Sequence, residues 1–317
     1  MRRARVSFSL PSYLPDAQID RMLALDLLAN GLIYGCFYAL MAVGLAMIFG
    51  VLKVVNFAHG EFFMIGAYTY VLVSLKLGVS PWLALPGAAI AGALLGWVVE
   101  RLLMRPLYAG YASWGFMKDE YAVVVTFGLS LLLINLVDKT VGPYSFRGPP
   151  LVDFGRFALG PVMLTGQKAI AALVAIALMV GLALFIKRSV WGLQIQAVAQ
   201  NRLGASLAGI DATRTTSLIF VISGALAALS GALLAPLVNP SPDIGAFPAI
   251  KSFVIVVLGG MGSIWGAMIA ALIIGVTEAF FSVYVSYDYR DAFGLIVLVA
   301  VLLLRPQGLL GEKGREL

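Results

Sequence analysis

Long uninterrupted apolar runs dominate the chain. They cover roughly Asp26–Val51, Phe62–Leu77, Trp82–Leu103, Tyr121–Val137, Ile170–Ile186, Leu218–Val238, Ile250–Leu258, Ile264–Val285 and Ala292–Leu304. A helix needs about 20 apolar residues to cross the hydrocarbon core of a bilayer. Most of the runs approach or reach that length. Membrane β-strands alternate apolar and polar positions, and these runs do not. The pattern predicts an all-α, polytopic integral membrane bundle of about eight or nine transmembrane helices.

The segments between runs refine this. The longest, Thr140–Gly166, contains Gly142-Pro143, Gly148-Pro149-Pro150 and Gly160-Pro161, which are turn and breaker signals. It reads as an irregular surface loop. Residues 1–21 begin with basic residues, and Pro11 and Pro15 then interrupt them before any apolar stretch. They read as a loose or interfacial leader and not as a cleaved signal. The expected division is a leader over 1–21, one transmembrane domain over 22–311 and a tail over 312–317. Inside the runs, Gly87, Gly92, Gly96, Gly224 and Gly231 predict close helix–helix packing faces, because small residues let helices approach in a membrane.

Composition agrees. Of 317 residues, 61% are hydrophobic and 12% charged, too few charges to wet the surface of a soluble globule. The net charge of +6 does not point to nucleic acid, because the basic residues sit mostly between the runs. Arg101, Arg105 and Lys118 form one group, Lys187, Arg188, Arg202 and Arg214 a second, and Arg305, Lys313 and Arg315 a third. One crossing per run places all three on one side, which the positive-inside rule makes cytoplasmic. The C-terminus follows them. The leader, with Arg2, Arg3, Arg5 and Arg21, then falls on the other side, against the rule. A shift of 200 residues aligns Gly60 with Gly260, Gly66-Ala67 with Gly266-Ala267, and Leu102–Pro106 with Leu302–Pro306, which would make two parallel repeats.

Three segments are candidates for function. In Gly50–Tyr68, two runs are separated by Asn56, the single histidine His59, Gly60 and Glu61. This is either a helix break at membrane depth, with freed backbone meeting polar side chains, or a short surface turn marked by Lys53. One histidine and one glutamate do not make a metal set. In Val254–Gly275, Gly259, Gly260, Gly262 and Ser263 interrupt an apolar run. This is not a phosphate loop, because the Lys-Ser/Thr ending is missing. It is either unwound backbone beside a pathway or a plain turn. In Lys187–Thr216, residues Gln194–Leu207 form an amphipathic helix with Ile195, Val198, Ala199 and Leu203 at helical spacing, stopped by Gly209. That helix either docks on a partner or lies in the interface. Asp26, Glu100, Asp138 and Glu278 are acidic residues in or at the ends of runs, Glu278 deepest. One histidine and one cysteine, Cys36, provide no catalytic set and no internal disulfide, so chemistry within this chain is not expected.

At these segments the chain resembles the permease subunits of branched-chain (hydrophobic) amino-acid ABC transporters. The resemblance runs from Leu28 to Gly311. It rests on the stretch from Asn30 to Tyr68 containing NFAHGE, on ERLLMRPL, AQNRLGASLAGID and VLGGMGSIWGAMIAALIIGVTEA, and on LLRPQGLLG, in that order. It implies an importer permease fold with a cytoplasmic coupling helix, in a prokaryotic cell (inner) membrane. It implies as partners a second permease subunit, a paralogue, two cytoplasmic ATPases that bind ATP and Mg, an extracytoplasmic binding protein, and surrounding lipid. No cofactor is implied in this chain. The coupling residues implied are Gln194, Ala197, Ala199, Asn201, Ala205, Leu207, Gly209 and Ile210. Leu193 and Gln196 depart from the arginines common in the family. Urea, short amides or small carboxylates are the alternative cargoes on the same architecture, and an ATP-independent transporter is the alternative class.

Overall fold

In the computed structural model, residues 16–109, 118–159 and 162–311 are described. The elements are α1 (Asp16–Leu52), α2 (His59–Lys76), α3 (Pro81–Val99), a π-helical turn (Glu100–Met104), α4 (Arg105–Ala109), α5 (Lys118–Val141), β1 (Arg156–Leu159), β2 (Val162–Thr165), α6 (Gly166–Arg188), α7 (Val190–Gln200), α8 (Arg202–Leu207), α9 (Ala212–Leu234), α10 (Ala246–Gly259), α11 (Ile264–Tyr284) and α12 (Arg290–Leu304). Among the described residues, six helices are long and apolar enough to cross a bilayer. They are α1, α3 with the turn and α4, α5, α6, α9 and α11. The expected eight or nine is reached only by adding α2 and the shorter α10 and α12. The leader reading is corrected in part. The helix already starts at Asp16, inside residues 1–21, and at 1.5 Å per residue α1 is about 55 Å long. Residues 1–15 of the leader and the whole of the expected tail, 312–317, lie outside the described residues.

Small residues bring the central helices together. A side chain at Gly66 would overlap the backbone of Ala228, and one at Gly92 the backbone of Gly224. Gly96 lies on Phe220, Gly231 on Phe63, and Gly31 and Gly35 on α11. The glycine expectation therefore holds for the α3–α9 and α2–α9 seams. It fails at Gly87, which faces open space. Ser230 Oγ donates to Phe37 O at 2.9 Å, and Gly44 packs on Ser223, so α9 runs antiparallel to α1.

The Thr140–Gly166 loop is not wholly irregular. It carries an antiparallel ribbon pairing Arg156 with Thr165 and Leu159 with Val162. It is also tied down. Tyr70 donates to Pro149 O at 2.7 Å, Phe146 N to Pro240 O at 3.1 Å, and Leu151 N to Gln167 Oε1 at 2.7 Å. At the opposite end of the bundle, α7 and α8 meet the basic ends of α6 and α9, and Arg202 of α8 meets Tyr108 of α4. The Pro306–Gly311 tail folds back there, with Leu309 N and Leu310 N donating to Leu258 O and Gly259 O. The 200-residue register pairs segments running the same way but starting at different depths. Gly60 opens α2 inside the bundle, whereas Gly260 closes α10 at its end.

Candidate functional site

The site is built from two interrupted helices. α1 ends at Leu52, with Lys53 in the left-handed region at φ 59°. Residues 53–58 then return along α1, and α2 starts where His59 Nε2 donates to Met41 O at 3.0 Å. Met41 lies eleven residues before Leu52, so α2 starts about 16 Å inside the end of α1. α9 and α10 repeat this with the opposite sense. α9 ends at Leu234, the chain turns back, and α10 starts beside Gly60, whose missing side chain leaves room for the backbone of Gly245. Two helix N-termini thus meet inside the bundle.

Of the two readings of Asn56–Glu61, the buried break describes the structure. Asn56, His59 and Glu61 are at most 3% exposed. The freed backbone is satisfied in place. Asn56 Oδ1 accepts from Ala58 N at 3.1 Å, and Phe57 N donates to Thr126 Oγ1 at 3.1 Å. Glu61 Oε1 accepts from Ser130 Oγ at 2.7 Å. Such pairing is what allows non-helical backbone at membrane depth. The Gly259–Ser263 segment is different. It is a tight turn at the end of the bundle, with Gly260 and Gly262 at φ 103° and 90° and Ser263 Oγ capping α11 through Gly266 N at 3.1 Å. It does not reach the α2 and α10 N-termini. With Lys53, Lys187, Gln196, Pro306 and Gln307 it lines a cavity of about 1060 Å³ between α1, α6, α7 and the tail.

The expected Gln194–Leu207 helix is two helices. Asn201 leaves helical geometry, and its Oδ1 accepts from Gly204 N at 2.8 Å, starting α8. Ile195, Val198 and Ala205 face inward. Leu203 does not join them, since it is 72% exposed, with Leu207 at 82% and Leu193 at 57%. Gln194, Ala197 and Ala199 lie on α7. Gly209, at φ 85°, stops α8 by giving its N–H to Ser206 O, while Ile210 N donates to Ala205 O at 3.0 Å. Residues 193–210 therefore present an apolar edge in an otherwise polar, basic neighbourhood.

Two further clusters join helices, each around an acidic residue. Glu100, fully buried in the π-helical turn, accepts from Tyr108 Oη and from Ser217 Oγ at 2.7 Å, and lies 3.5 Å from Arg105 Nε. Pro106 explains the widened turn, because its ring would press on the Leu102 carbonyl of an α-helix. The Arg202 guanidinium of α8 stacks over Tyr108 at 4.2 Å. Glu278 of α11 pairs with Lys251 of α10 at 2.8 Å, and Lys251 also donates to Tyr38 Oη at 3.0 Å. The sequence reading named Glu278 and overlooked Lys251, although a lysine inside an apolar run was the available signal.

A family model described as a branched-chain amino acid transport system / permease component matches residues 27–302. The chain is 35% identical over 297 residues to the high-affinity branched-chain amino acid transport system permease protein LivH of Escherichia coli K12, covering 89% of this chain and 94% of that one. It is 36% identical to BraD of Pseudomonas aeruginosa, covering 91% and 96%. LivM of Escherichia coli K12 matches at 29%, covering 86% and 67%. Among solved structures, PsaBC from Streptococcus pneumoniae in complex with Fab aligns over 90% of this chain and 93% of that one, with a TM-score of 0.46 and 14% identity.

Proposed function

The chain belongs to the family of branched-chain amino-acid transport permease components, and on that premise we propose that it is the membrane-spanning subunit of an ATP-driven importer of branched-chain or other hydrophobic amino acids. The end of the bundle carrying α7, α8 and the basic clusters is cytoplasmic, by the positive-inside rule. ATP and Mg belong to two partner ATPases, and this chain has no catalytic role. Relatives named LivH and LivM are both permease components, which favours a paralogous second permease. An extracytoplasmic binding protein delivers the cargo at the opposite end.

The observation carrying this reading is the exposed leucine edge of α7 and α8. Large apolar side chains exposed outside the lipid are what a docking helix presents to a groove. ATP-driven closure of the ATPases moves that edge, and the helices it touches rock between outward-open and inward-open states. The test is the Leu203→Arg/Leu207→Arg double variant in the assembled importer, reconstituted in proteoliposomes. Both residues are exposed, so the bundle folds. Coupled ATPase activity and leucine uptake fall at least about tenfold, as for the loss of a buried docking anchor. Unchanged coupling and uptake would refute the assignment.

A further inference from the structure

One face of α1 carries Asn30, Tyr34 and Tyr38 at successive intervals of four residues, so they lie in a row. α6 and α10 both pack on α1 and not substantially on each other, leaving this row partly buried between them. Each wall supplies a lysine. Lys168 of α6 lies over the Tyr34 ring at 5.5 Å and donates to Asn30 Oδ1 at 3.3 Å. Lys251 of α10 lies over the Tyr38 ring at 4.7 Å and meets Glu278 at 2.8 Å. The rings of Tyr34 and Tyr38 are 6.5 Å apart and join the two ends. Tyr38 stands one turn from Met41, where His59 opens α2, and the row runs from there toward the β1–β2 ribbon, where Asp26 Oδ1 accepts from Met163 N at 3.1 Å. The row therefore occupies the half of the molecule that an incoming cargo meets first.

The charges need an explanation. Ionisable residues in spans are costly and mark substrate pathways or water-filled cavities. A buried ion pair adds little stability over apolar residues of the same volume. Among the described residues Lys168 has no carboxylate within ion-pair distance and leans on neutral partners. We propose that this row is the subsite that reads the charged backbone of a zwitterionic amino acid. Its α-carboxylate goes to Lys168 and then to Lys251, and its α-ammonium goes to Glu278 and across the tyrosine faces. The side chain is left to the apolar walls. This rests on the importer reading and sharpens it, because urea or a short amide has no use for these charges.

The test compares uptake of leucine with that of 4-methylpentanamide, a neutral amide with the leucine side chain and no α-ammonium, in proteoliposomes of the assembled importer. Lys168→Gln, at a half-exposed position, raises the KM for leucine at least about tenfold, the size expected when a charged hydrogen bond is lost, and leaves the KM for the amide unchanged. The Lys251→Met/Glu278→Leu double variant loses leucine preference over the amide. Leucine kinetics unchanged in Lys168→Gln would overturn the inference, even where the double variant fails to assemble. A wild-type importer that moves the amide and not leucine would instead overturn the importer reading.

Discussion

Glu100 and Glu278 are both carboxylates inside apolar helices, each beside a cation and a tyrosine, yet they sit in opposite circumstances. Glu100 is wholly enclosed, and groups of α4 and α9 meet both of its oxygens. Among the described residues its tyrosine leads outward to Arg202 of α8, beside the exposed leucines. Glu278 is bound through Lys251 to the partly buried row on α1. One carboxylate is closed in by its own chain, and the other stands behind the partly buried row on α1. A buried charge satisfied on every side fixes an arrangement, whereas in the subsite proposed above the charge behind the row exchanges partners with the cargo.

The largest expected effect breaks this contrast directly. Glu100→Ala leaves Arg105 and two hydroxyls facing each other without their acceptor. Removing one partner of a buried pair costs about 3–5 kcal/mol. Arg105 is 27% exposed and regains part of that from water, so a loss of about 2–3 kcal/mol is expected. The Lys251→Met/Glu278→Leu double variant removes both charges together and stays within about 1 kcal/mol of wild type. Unfolding of the two variants in mixed micelles gives both numbers. Equal losses would mean that the two carboxylates play the same structural part.

Much of this frame was legible in the sequence, and the illegible parts share a physical cause. Apolar runs locate spans because the bilayer demands them. The breaks at Asn56–Glu61 and Gly259–Ser263 were visible for the same reason. Their depth was not visible, because a run of residues does not say which carbonyl His59 will meet. That required α1 and α2 to be packed together. The same holds for Lys251, which looks like an ordinary interruption until α11 brings Glu278 to it. The split of residues 194–207 at Asn201 was missed because the apolar period continues across it. The cap is a local side-chain bond, and periodicity does not report it. Gly87 shows the converse, since a glycine within a glycine-rich pattern need not lie on a seam.

A smaller effect sharpens the contrast on the Glu100 side. If that cluster transmits motion from α8, its weakest joint is the stacking of Arg202 on Tyr108, worth about 1 kcal/mol at a partly exposed site. Arg202→Gln removes the guanidinium and its charge and keeps a polar, planar end group on a shorter side chain. Binding-protein stimulation of the ATPase is then expected to fall about fivefold, the equivalent of that energy, while the KM for leucine stays unchanged. A changed KM with normal stimulation would place Arg202 with the charges on α1.

An effect of similar size, but local to one helix, concerns how Arg202 reaches Tyr108 at all. Asn201 turns the chain between α7 and α8 with extended backbone, φ −152° and ψ 100°, and its side chain holds the first turn of α8 through Gly204 N. Without that turn, α8 would continue the line of α7 and carry Arg202 away from α4. Asn201→Ala removes the cap at a cost of about 1 kcal/mol. Asn201→Asp keeps an acceptor and retains most of it. Hydrogen exchange at residues 202–207 should quicken about fivefold in the alanine variant and much less in the aspartate variant. Equal exchange in both would mean that the inward packing of Ala205, and not the cap, sets the direction of α8.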